Sequence, residues 1–243
     1  MAKTYTLSCP CHFGLEAPLK REIFDLGYEI TRVEDGRVSF EGDAEAICRA
    51  NIYLRGAERV LVEIGRFRAT TFEELFQGIK SLEWEAYIPK DGKFWVTKAT
   101  SVKSKLFSLT DIQSIVKKAM VERLKKYYGI DWFKEDGASY PVRIFLLKDE
   151  VVVTLDTSGT PLHKRGYRPL THEAPIRETL ASGMVTLAHS VDSSGISSIK
   201  VCDVGIPNTS TMVDFGVISQ MTITSVPTDL YSLIVSCSQK SGR

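Results

Sequence analysis

The sequence lacks the features that would place a protein in or across a membrane. Among its 243 residues there is no apolar run near the roughly 20 residues that a membrane span needs. The first five residues lead directly into a strand-like pattern instead of the apolar core of a signal peptide. We therefore predict no membrane partner and a cytoplasmic location.

Cysteine is also scarce, and its spacing excludes a disulfide framework. The chain has five cysteines, an odd number, so reduced thiols are predicted. Cys9 and Cys11 with His12 suggest a zinc site as an alternative. A structural zinc ion needs about four ligands, and Cys48, Cys202 and Cys237 have no paired spacing. Free thiols and no metal are the favoured interpretation.

Net charge is low, but the positive charge is concentrated. The formal net charge is +1, whereas residues 93–126 contain nine Lys or Arg against two Asp or Glu. Residues 163–168 add three further cations. A basic stretch in a nearly neutral protein is typical of modules that neutralise nucleic-acid phosphates. The alternative is a set of solvated helix faces without a partner.

Residues 1–67 show strand and helix patterns in the order βαββαβ. The Asp35-Gly36 pair favours a tight hairpin turn, Gly27 is typical of a helix C-cap, and Asp43 can cap the second helix. This order predicts a ferredoxin-like domain, an antiparallel sheet with two helices on one face. The predicted elements are strand 5–8, helix 15–26, hairpin strands 29–33 and 37–40, helix 43–55 and strand 60–64.

A second unit, residues 68–168, follows with its own helices and strands. Thr70 or Thr71 can cap its first helix, and Thr110 with Gln113 predicts a capping box for the longest helix, which ends at Gly129. We expect the buried side of that helix to include residues from Ile112 to Tyr127. The other predicted elements are strand 93–99, a polar loop 100–105, and a hairpin of strands 142–147 and 151–155.

The composition changes after a further predicted helix at residues 176–188. Residues 190–243 contain 12 serines in 54 positions, against ten in the preceding 189, and only seven charged residues. No sustained helical or alternating period is visible in residues 193–220. Residues 169–189 are therefore predicted to start a third unit, and 190–243 to form an irregular tail.

The candidate RNA contacts are cations, two hydroxyls and one aromatic ring. Arg can chelate a phosphate, Lys acts as a point charge, and a Ser hydroxyl can add a neutral donor. Tyr167 could stack on an unpaired base or anchor its loop, and for His163 a structural role is favoured over an RNA contact. The 156–159 segment is predicted to be a turn after a strand. The candidates are Lys98, Ser101, Lys103, Ser104, Lys105, Lys117, Lys118, Lys164, Arg165, Tyr167 and Arg168.

Residues 162–168, Leu-His-Lys-Arg-Gly-Tyr-Arg, resemble the end of the THUMP domain in a family of bacterial S-adenosylmethionine-dependent RNA methyltransferases. These proteins join a ferredoxin-like domain, a THUMP domain and a Rossmann-like catalytic domain. The resemblance implies an α+β fold with this order and methyl transfer to a guanine exocyclic amine of large-subunit ribosomal RNA. Other matching segments are 13–17, 25–28, 34–38, 49–51, 54–55, 58–60, 69–76, 101–108, 115–119 and 174–180.

The chain departs from that family where the cofactor would bind. The family's glycine-rich Asp-Pro-(Phe/Met)-Cys-Gly-Ser-Gly-Thr loop and Asn-Pro-Pro-Tyr-type motif are absent, and residues 201–205 are the nearest approach. We therefore expect a truncated or frame-shifted member that binds RNA but has no catalytic or S-adenosylmethionine-binding residues of its own. The alternatives are a stand-alone RNA-binding protein and a DNA adenine methylase. The second is disfavoured because no recognition helix suited to a major groove is predicted.

Overall fold

The computed structural model describes residues 3–165 and 176–189 of the chain. Its first six elements confirm the predicted βαββαβ order. Neighbouring strands in this part pair antiparallel in the order β2-β3-β1-β4, which is the ferredoxin-like arrangement. The elements are β1 Tyr5–Pro10, α1 Glu16–Asp25, β2 Ile30–Glu34, β3 Arg37–Gly42, α2 Ala44–Tyr53 and β4 Leu61–Arg68.

Local sequence signals set the ends of these elements. The carboxylate of Asp43 accepts a hydrogen bond from the backbone N–H of Ala46 at 2.9 Å, as an N-cap does. Gly36, in the turn between β2 and β3, has a φ of 71°, a left-handed conformation that glycine adopts without strain. Helix α2 ends at Tyr53 and not at the predicted residue 55, because Leu54 is already extended.

Among the described residues, the part of the chain after β4 contributes three α-helices and three strands. Thr71 is the cap of α3, and it exchanges hydrogen bonds with Glu74 in a complete capping box. A short 3-10 turn, Trp84–Ala86, lies between α3 and β5. The elements are α3 Phe72–Ser81, β5 Lys93–Val102, α4 Leu109–Tyr128, β6 Ser139–Leu147, β7 Glu150–Asp156 and α5 Glu178–His189.

Three predictions for this part are wrong in detail. Helix α4 begins after Ser108, so Thr110 lies inside its first turn and does not form the predicted capping box. Tyr127 is 60% exposed and does not belong to the buried side of α4. Strand β5 continues through Val102, because residues 100–102 pair in parallel with residues 145–147 of β6; Ser101 is therefore a strand residue and not a loop residue.

The two predicted units share one sheet. Strand β4 pairs antiparallel with β7 from Leu61 to Arg68, which joins the ferredoxin-like part to the second part. The described residues form a seven-stranded sheet in the order β2-β3-β1-β4-β7-β6-β5, in which only β5 and β6 are parallel. None of the described helices is both long and apolar enough to cross a bilayer.

The two faces of this sheet differ in what covers them. On one face, buried apolar residues of α1 to α4 pack with alternate strand residues in one continuous core, which includes Leu7, Val62, Phe94, Ile144 and Val153. Because successive strand side chains point to opposite faces, Arg143, Thr154 and Asp156 lie on the other face. That second face, here called the open face, is covered by paired arginine and carboxylate side chains instead of by α1 to α4.

Candidate RNA-binding surface

The loop after β5 presents two of the predicted cations. Lys103 and Lys105 are exposed, and Lys103 has a φ of 51°, in the left-handed region. The turn between β6 and β7 clamps this loop: Asp149 accepts a hydrogen bond from the backbone N–H of Lys105 at 2.7 Å. The backbone N–H of Asp149 donates to the hydroxyl of Ser104 at 3.0 Å. The two lysines are therefore carried by a loop that the adjacent hairpin holds in place.

The predicted hydroxyl donors of this loop already donate within the protein. Ser101 donates to the carbonyl of Leu106, and Ser104 donates to the carbonyl of Val102 at 3.1 Å. A serine hydroxyl has a single proton, so neither group can donate to a phosphate without giving up its internal bond. Their role as phosphate contacts stays a prediction, and the observed role of both is to shape the loop.

The two predicted cations of α4 are in different environments. The amino group of Lys117 donates to the carbonyl of Phe94 and, at 3.0 Å, to Glu135, and it lies 3.8 Å from the centroid of the Phe94 ring. Lys118 is exposed and lies 5.8 Å from the ring of Phe76. Lys117 thus joins α4 to β5 and to the loop between α4 and β6. The amino group of Lys118, in contrast, is available to contact a phosphate.

Replacing Lys117 and Lys118 separately with glutamine should have opposite effects. Lys117→Gln is expected to lower the free energy of unfolding by about 1–2 kcal/mol, because a cation–π contact and charged hydrogen bonds are lost. It should leave the salt dependence of RNA binding unchanged. Lys118→Gln should preserve stability and reduce the slope of log affinity against log salt by about one. Denaturant unfolding and binding titrations measure both; equal effects of the two variants would contradict this assignment.

The basic segment that follows β7 is anchored to α2. The Arg165 guanidinium donates to the carbonyls of Ile52 at 2.6 Å, in the last turn of that helix, and of Leu54 at 2.5 Å, its C-cap residue. A guanidinium at a helix C-terminus satisfies unpaired acceptors and complements the helix dipole. Lys164 is exposed. Tyr167 and Arg168 lie outside the described residues, so their predicted roles are untested.

Glu58, between α2 and β4, joins four side chains from distant parts of the chain. Its carboxylate accepts a hydrogen bond from Thr179 of α5 at 2.7 Å and lies 3.2 Å from Nδ1 of His163. His12 Nε2 is 3.1 Å from the Glu58 carboxylate but has no hydrogen-bond partner among the described residues, so these two side chains are close without being hydrogen-bonded. Arg177 is 3.5 Å away. His163 therefore has a partner within the fold, in agreement with the structural role favoured for it.

The environment of Glu58 lowers its pKa. Burial raises the pKa of this carboxyl, but the Thr179 hydrogen bond and the nearby His163, His12 and Arg177 outweigh burial. A carboxyl whose pKa is lower in the folded state stabilises the fold above its unfolded pKa. That stabilisation disappears as the pH falls through the folded pKa. Acid should therefore loosen the attachment of α5.

Glu58→Gln is expected to cost about 1 kcal/mol of unfolding free energy at neutral pH, because a charged hydrogen bond becomes a neutral one. As the pH falls through the lowered pKa of Glu58, the variant and the parent chain should converge. Urea unfolding over a pH series measures the difference. Glu83→Gln, an exposed carboxylate before the 3-10 turn, is the control. A constant difference between Glu58→Gln and the parent at all pH values would contradict the charge argument.

The open face carries a buried carboxylate between two arginines. Asp156 Oδ2 accepts from Arg59 at 2.5 Å and from Arg143 at 3.1 Å, and Oδ1 accepts from the backbone N–H of Ser158 at 3.0 Å. Burial lowers the pKa of Arg143, and the charge of Asp156 offsets part of that shift. Further along this face, Arg66 pairs with Glu34, Glu63 and Glu150.

A groove of about 300 Å³ lies beside the Asp156 cluster, at the edge of the sheet. Trp95, which is 36% exposed, and Thr97 of the edge strand β5 line it together with Arg59, Asp156 and the loop after β7. Lys98, one of the predicted contacts, is exposed and stands opposite Arg143 in the β5–β6 register. This groove was not predicted from the sequence. The alternation of side chains along β5 does place Trp95 and Thr97 on the face of the sheet that points away from the core, and Phe94 and Val96 on the face that points towards it.

The nine predicted contacts that the structure describes fall into three groups and one separate residue, Lys98. Lys103 and Lys105 follow the C-terminal end of β5, whereas Lys117 binds Phe94 near its other end, about 30 Å away at 3.3 Å per residue. Lys164 and Arg165 lie next to the end of α2. Lys98 lies between the first two groups on the open face.

The cysteines near the N-terminus have the environment of packed thiols. Burial is the largest cause that raises the pKa of Cys11 to about 12, and it also raises the pKa of the fully buried Cys9. Within residues 3–165 and 176–189, no three His, Cys, Asp or Glu side chains are grouped so that they could hold a metal ion.

The chain matches two domain families. Residues 6–61 match the RlmL ferredoxin-like domain, and residues 69–156 match the THUMP domain. "Putative RNA methyltransferase YpsC" of Bacillus subtilis (strain 168) is 52% identical over 189 residues, which are 77% of this chain and 49% of YpsC. The ribosomal RNA large subunit methyltransferase K/L of Psychromonas ingrahamii is 32% identical over 180 residues, 72% of this chain and 24% of that protein.

Solved structures show the same architecture. A possible methylase from Clostridium difficile 630 superimposes with a TM-score of 0.74 at 51% identity, covering 76% of this chain and 49% of that one. A protein from Listeria monocytogenes, described as a predicted N6-adenine-specific DNA methylase, gives 0.72 at 48% identity, with coverage of 76% and 48%. SMU.472, complexed with SAH, gives 0.72 at 44% identity, with coverage of 77% and 49%. The chain spans about half the length of these structures and of YpsC.

Proposed function

Because the chain belongs to the proteins that join an RlmL-type ferredoxin-like domain to a THUMP domain, we propose that it is the RNA-binding portion of an S-adenosylmethionine-dependent RNA methyltransferase. The observation that carries the proposal is the THUMP match over residues 69–156, which contains the concentrated positive charge between residues 93 and 126. The names of the two curated relatives, both RNA methyltransferases, support it.

The proposed substrate is structured ribosomal RNA, with a guanine exocyclic amine as the methyl acceptor. The relative named for the large subunit supports this choice. S-adenosylmethionine is the proposed cofactor of the full-length protein, because SMU.472 is complexed with SAH, the product of methyl transfer from that cofactor. Residues 1–243 lack the glycine-rich loop and the Asn-Pro-Pro-Tyr-type motif of the family. Methyl transfer by these residues alone is therefore not expected. The proposed location of the protein is the cytoplasm.

The alternative is a stand-alone RNA-binding module, which would bind the same RNA without belonging to a longer enzyme. A DNA substrate is the third candidate, supported by the description of the Listeria relative. The phosphate contacts proposed here do not distinguish RNA from DNA by charge alone, so competition between the two nucleic acids is the deciding observation.

The test is a titration of the chain with transcribed fragments of large-subunit ribosomal RNA and with DNA duplexes of matched length at several salt concentrations. Tighter binding to RNA, weakened by salt, is expected. Equal or tighter binding to DNA would overturn the RNA assignment. Calorimetric titration with S-adenosylmethionine is expected to show no saturable heat; specific binding would show that residues 1–243 contain a cofactor site.

A further inference from the structure

We propose that the groove beside Trp95 receives a single unpaired nucleotide of the bound RNA, with its base stacked on the Trp95 ring. The inference rests on the proposed RNA-binding function and names where, on the open face, an unpaired base is held. It assigns to this groove a task separate from the phosphate contacts of Lys103 and Lys105.

The groove is small and lies at the edge of the sheet. Its volume of about 300 Å³ is at the lower end of the range for small-molecule sites, so it suits one nucleotide and not a helix. Strand β5 is the edge of the described sheet, so no further strand lies beyond the groove on that side. A base inside an A-form duplex could not reach it, which restricts the ligand to unpaired positions.

The walls of the groove combine apolar surface with hydroxyl groups. Trp95 supplies a flat apolar surface, and Pro141, its partner in the β5–β6 register, adds a second apolar contact. Hydroxyl groups of Thr97, Ser139 and Thr160 surround these two residues, and each can donate or accept a hydrogen bond. Such walls suit a planar ring with polar edges and give little discrimination among the four bases.

The one cation among the described residues that line the groove already has partners within the protein. The Arg59 guanidinium donates to Asp156 and, at 2.8 Å, to the carbonyl of Gly159. A phosphate would have to compete with these contacts for Arg59, whereas a neutral base fits without displacing them. Lys93, whose amino group is 5.9 Å from the Trp95 ring centroid, and Lys98 flank Trp95 along β5. These two cations can hold the phosphates on either side of the stacked base.

The experiment compares two RNA hairpins, one blunt and one with a short single-stranded extension, binding to the full chain. Each hairpin is closed by an ethylene-glycol linker in place of a loop, so that the extension supplies all the unpaired bases. For the extended hairpin, Trp95→Ala is expected to weaken binding by about tenfold, since base stacking on an aromatic ring contributes about that much. Binding to the blunt hairpin should be unchanged. Trp95→Phe should retain most of the affinity, and an extension made of abasic nucleotides should bind the parent chain as weakly as the blunt hairpin does.

Two controls separate stacking from charge and from general aromatic exposure. Lys98→Gln is expected to reduce the slope of log affinity against log salt by about one, whereas Trp95→Ala leaves that slope unchanged. Trp132, 83% exposed in the loop between α4 and β6, is the matched aromatic; Trp132→Ala should not distinguish the two hairpins. Equal effects of Trp95→Ala and Trp132→Ala would overturn the inference and leave the RNA-binding function standing. Failure of the parent chain to bind either hairpin would overturn both.

Discussion

Asp156→Ala is expected to lower the free energy of unfolding by about 3–5 kcal/mol, because it leaves two partly buried guanidinium groups without their shared carboxylate. The side chain of Asp156 is 2% exposed, and those of Arg59 and Arg143 are 14% exposed, so water cannot replace the lost partner fully. The substitution also removes the acceptor for the backbone N–H of Ser158. Chemical denaturation of the purified chain measures the change.

Glu150→Ala is the matched control on the same face. Glu150 pairs with Arg66 at 3.2 Å, but its side chain is 50% exposed, and surface ion pairs contribute about 0–1 kcal/mol. Arg66 also keeps its contacts with Glu34 and Glu63. If both substitutions cost the same small amount, the Asp156 cluster does not stabilise the fold in the way its burial predicts.

Reversing the charge of both lysines of the β5–α4 loop, in Lys103→Glu with Lys105→Glu, is expected to weaken binding to structured RNA by about 10- to 100-fold. Each contact with a phosphate contributes up to about 1 kcal/mol in water, and salt partly screens the repulsion that replaces it, so the two reversals together cost about 1.5–3 kcal/mol, or about 10- to 100-fold. The slope of log affinity against log salt should become shallower by about two. Binding titrations at several salt concentrations measure both quantities.

The same reversal at Lys20 and Arg21 is the control, because both are exposed on α1, outside the THUMP match. It makes the same change in net charge and should alter affinity only slightly. A circular dichroism spectrum of each variant verifies that the fold is intact. If the Lys20 and Arg21 pair weakens binding as much as the loop pair, the effect is one of overall charge and the site lies elsewhere.

Most of the fold follows from local patterns in the sequence. The Asp43 cap, the Gly36 turn and the Gly129 helix end were predictable because each depends on residues close in the chain. The junction of β4 with β7 was not predictable in this way. Leu61 and Asp156 are 95 positions apart, and their pairing depends on which strand edges remain free after both halves have folded.

The features of the candidate site also divide into those that local sequence predicts and those that depend on residues far apart in the chain. Exposure of Lys103 and Lys105 follows from a polar loop between a strand and a helix, which is a local signal. The internal bonds of Arg165 and Lys117 depend on α2 carbonyls and on Phe94, which the chain brings close only in three dimensions. The groove beside Trp95 likewise combines β5, β6 and the loop after β7, so the alternation in β5 could indicate which face Trp95 and Thr97 share but not what lies beside them.

The continuous sheet also fixes the distance between β4 and the edge strand β5. Strands β4, β7, β6 and β5 are neighbours, so three inter-strand steps of about 4.8 Å each, or about 14 Å in all, separate β4 from the edge at β5. Helix α5 is held through Glu58, just before β4. If RNA binds along β5 as proposed, it is kept at a set distance from α5, and the fold itself determines how far along that RNA the residues after α5 can reach.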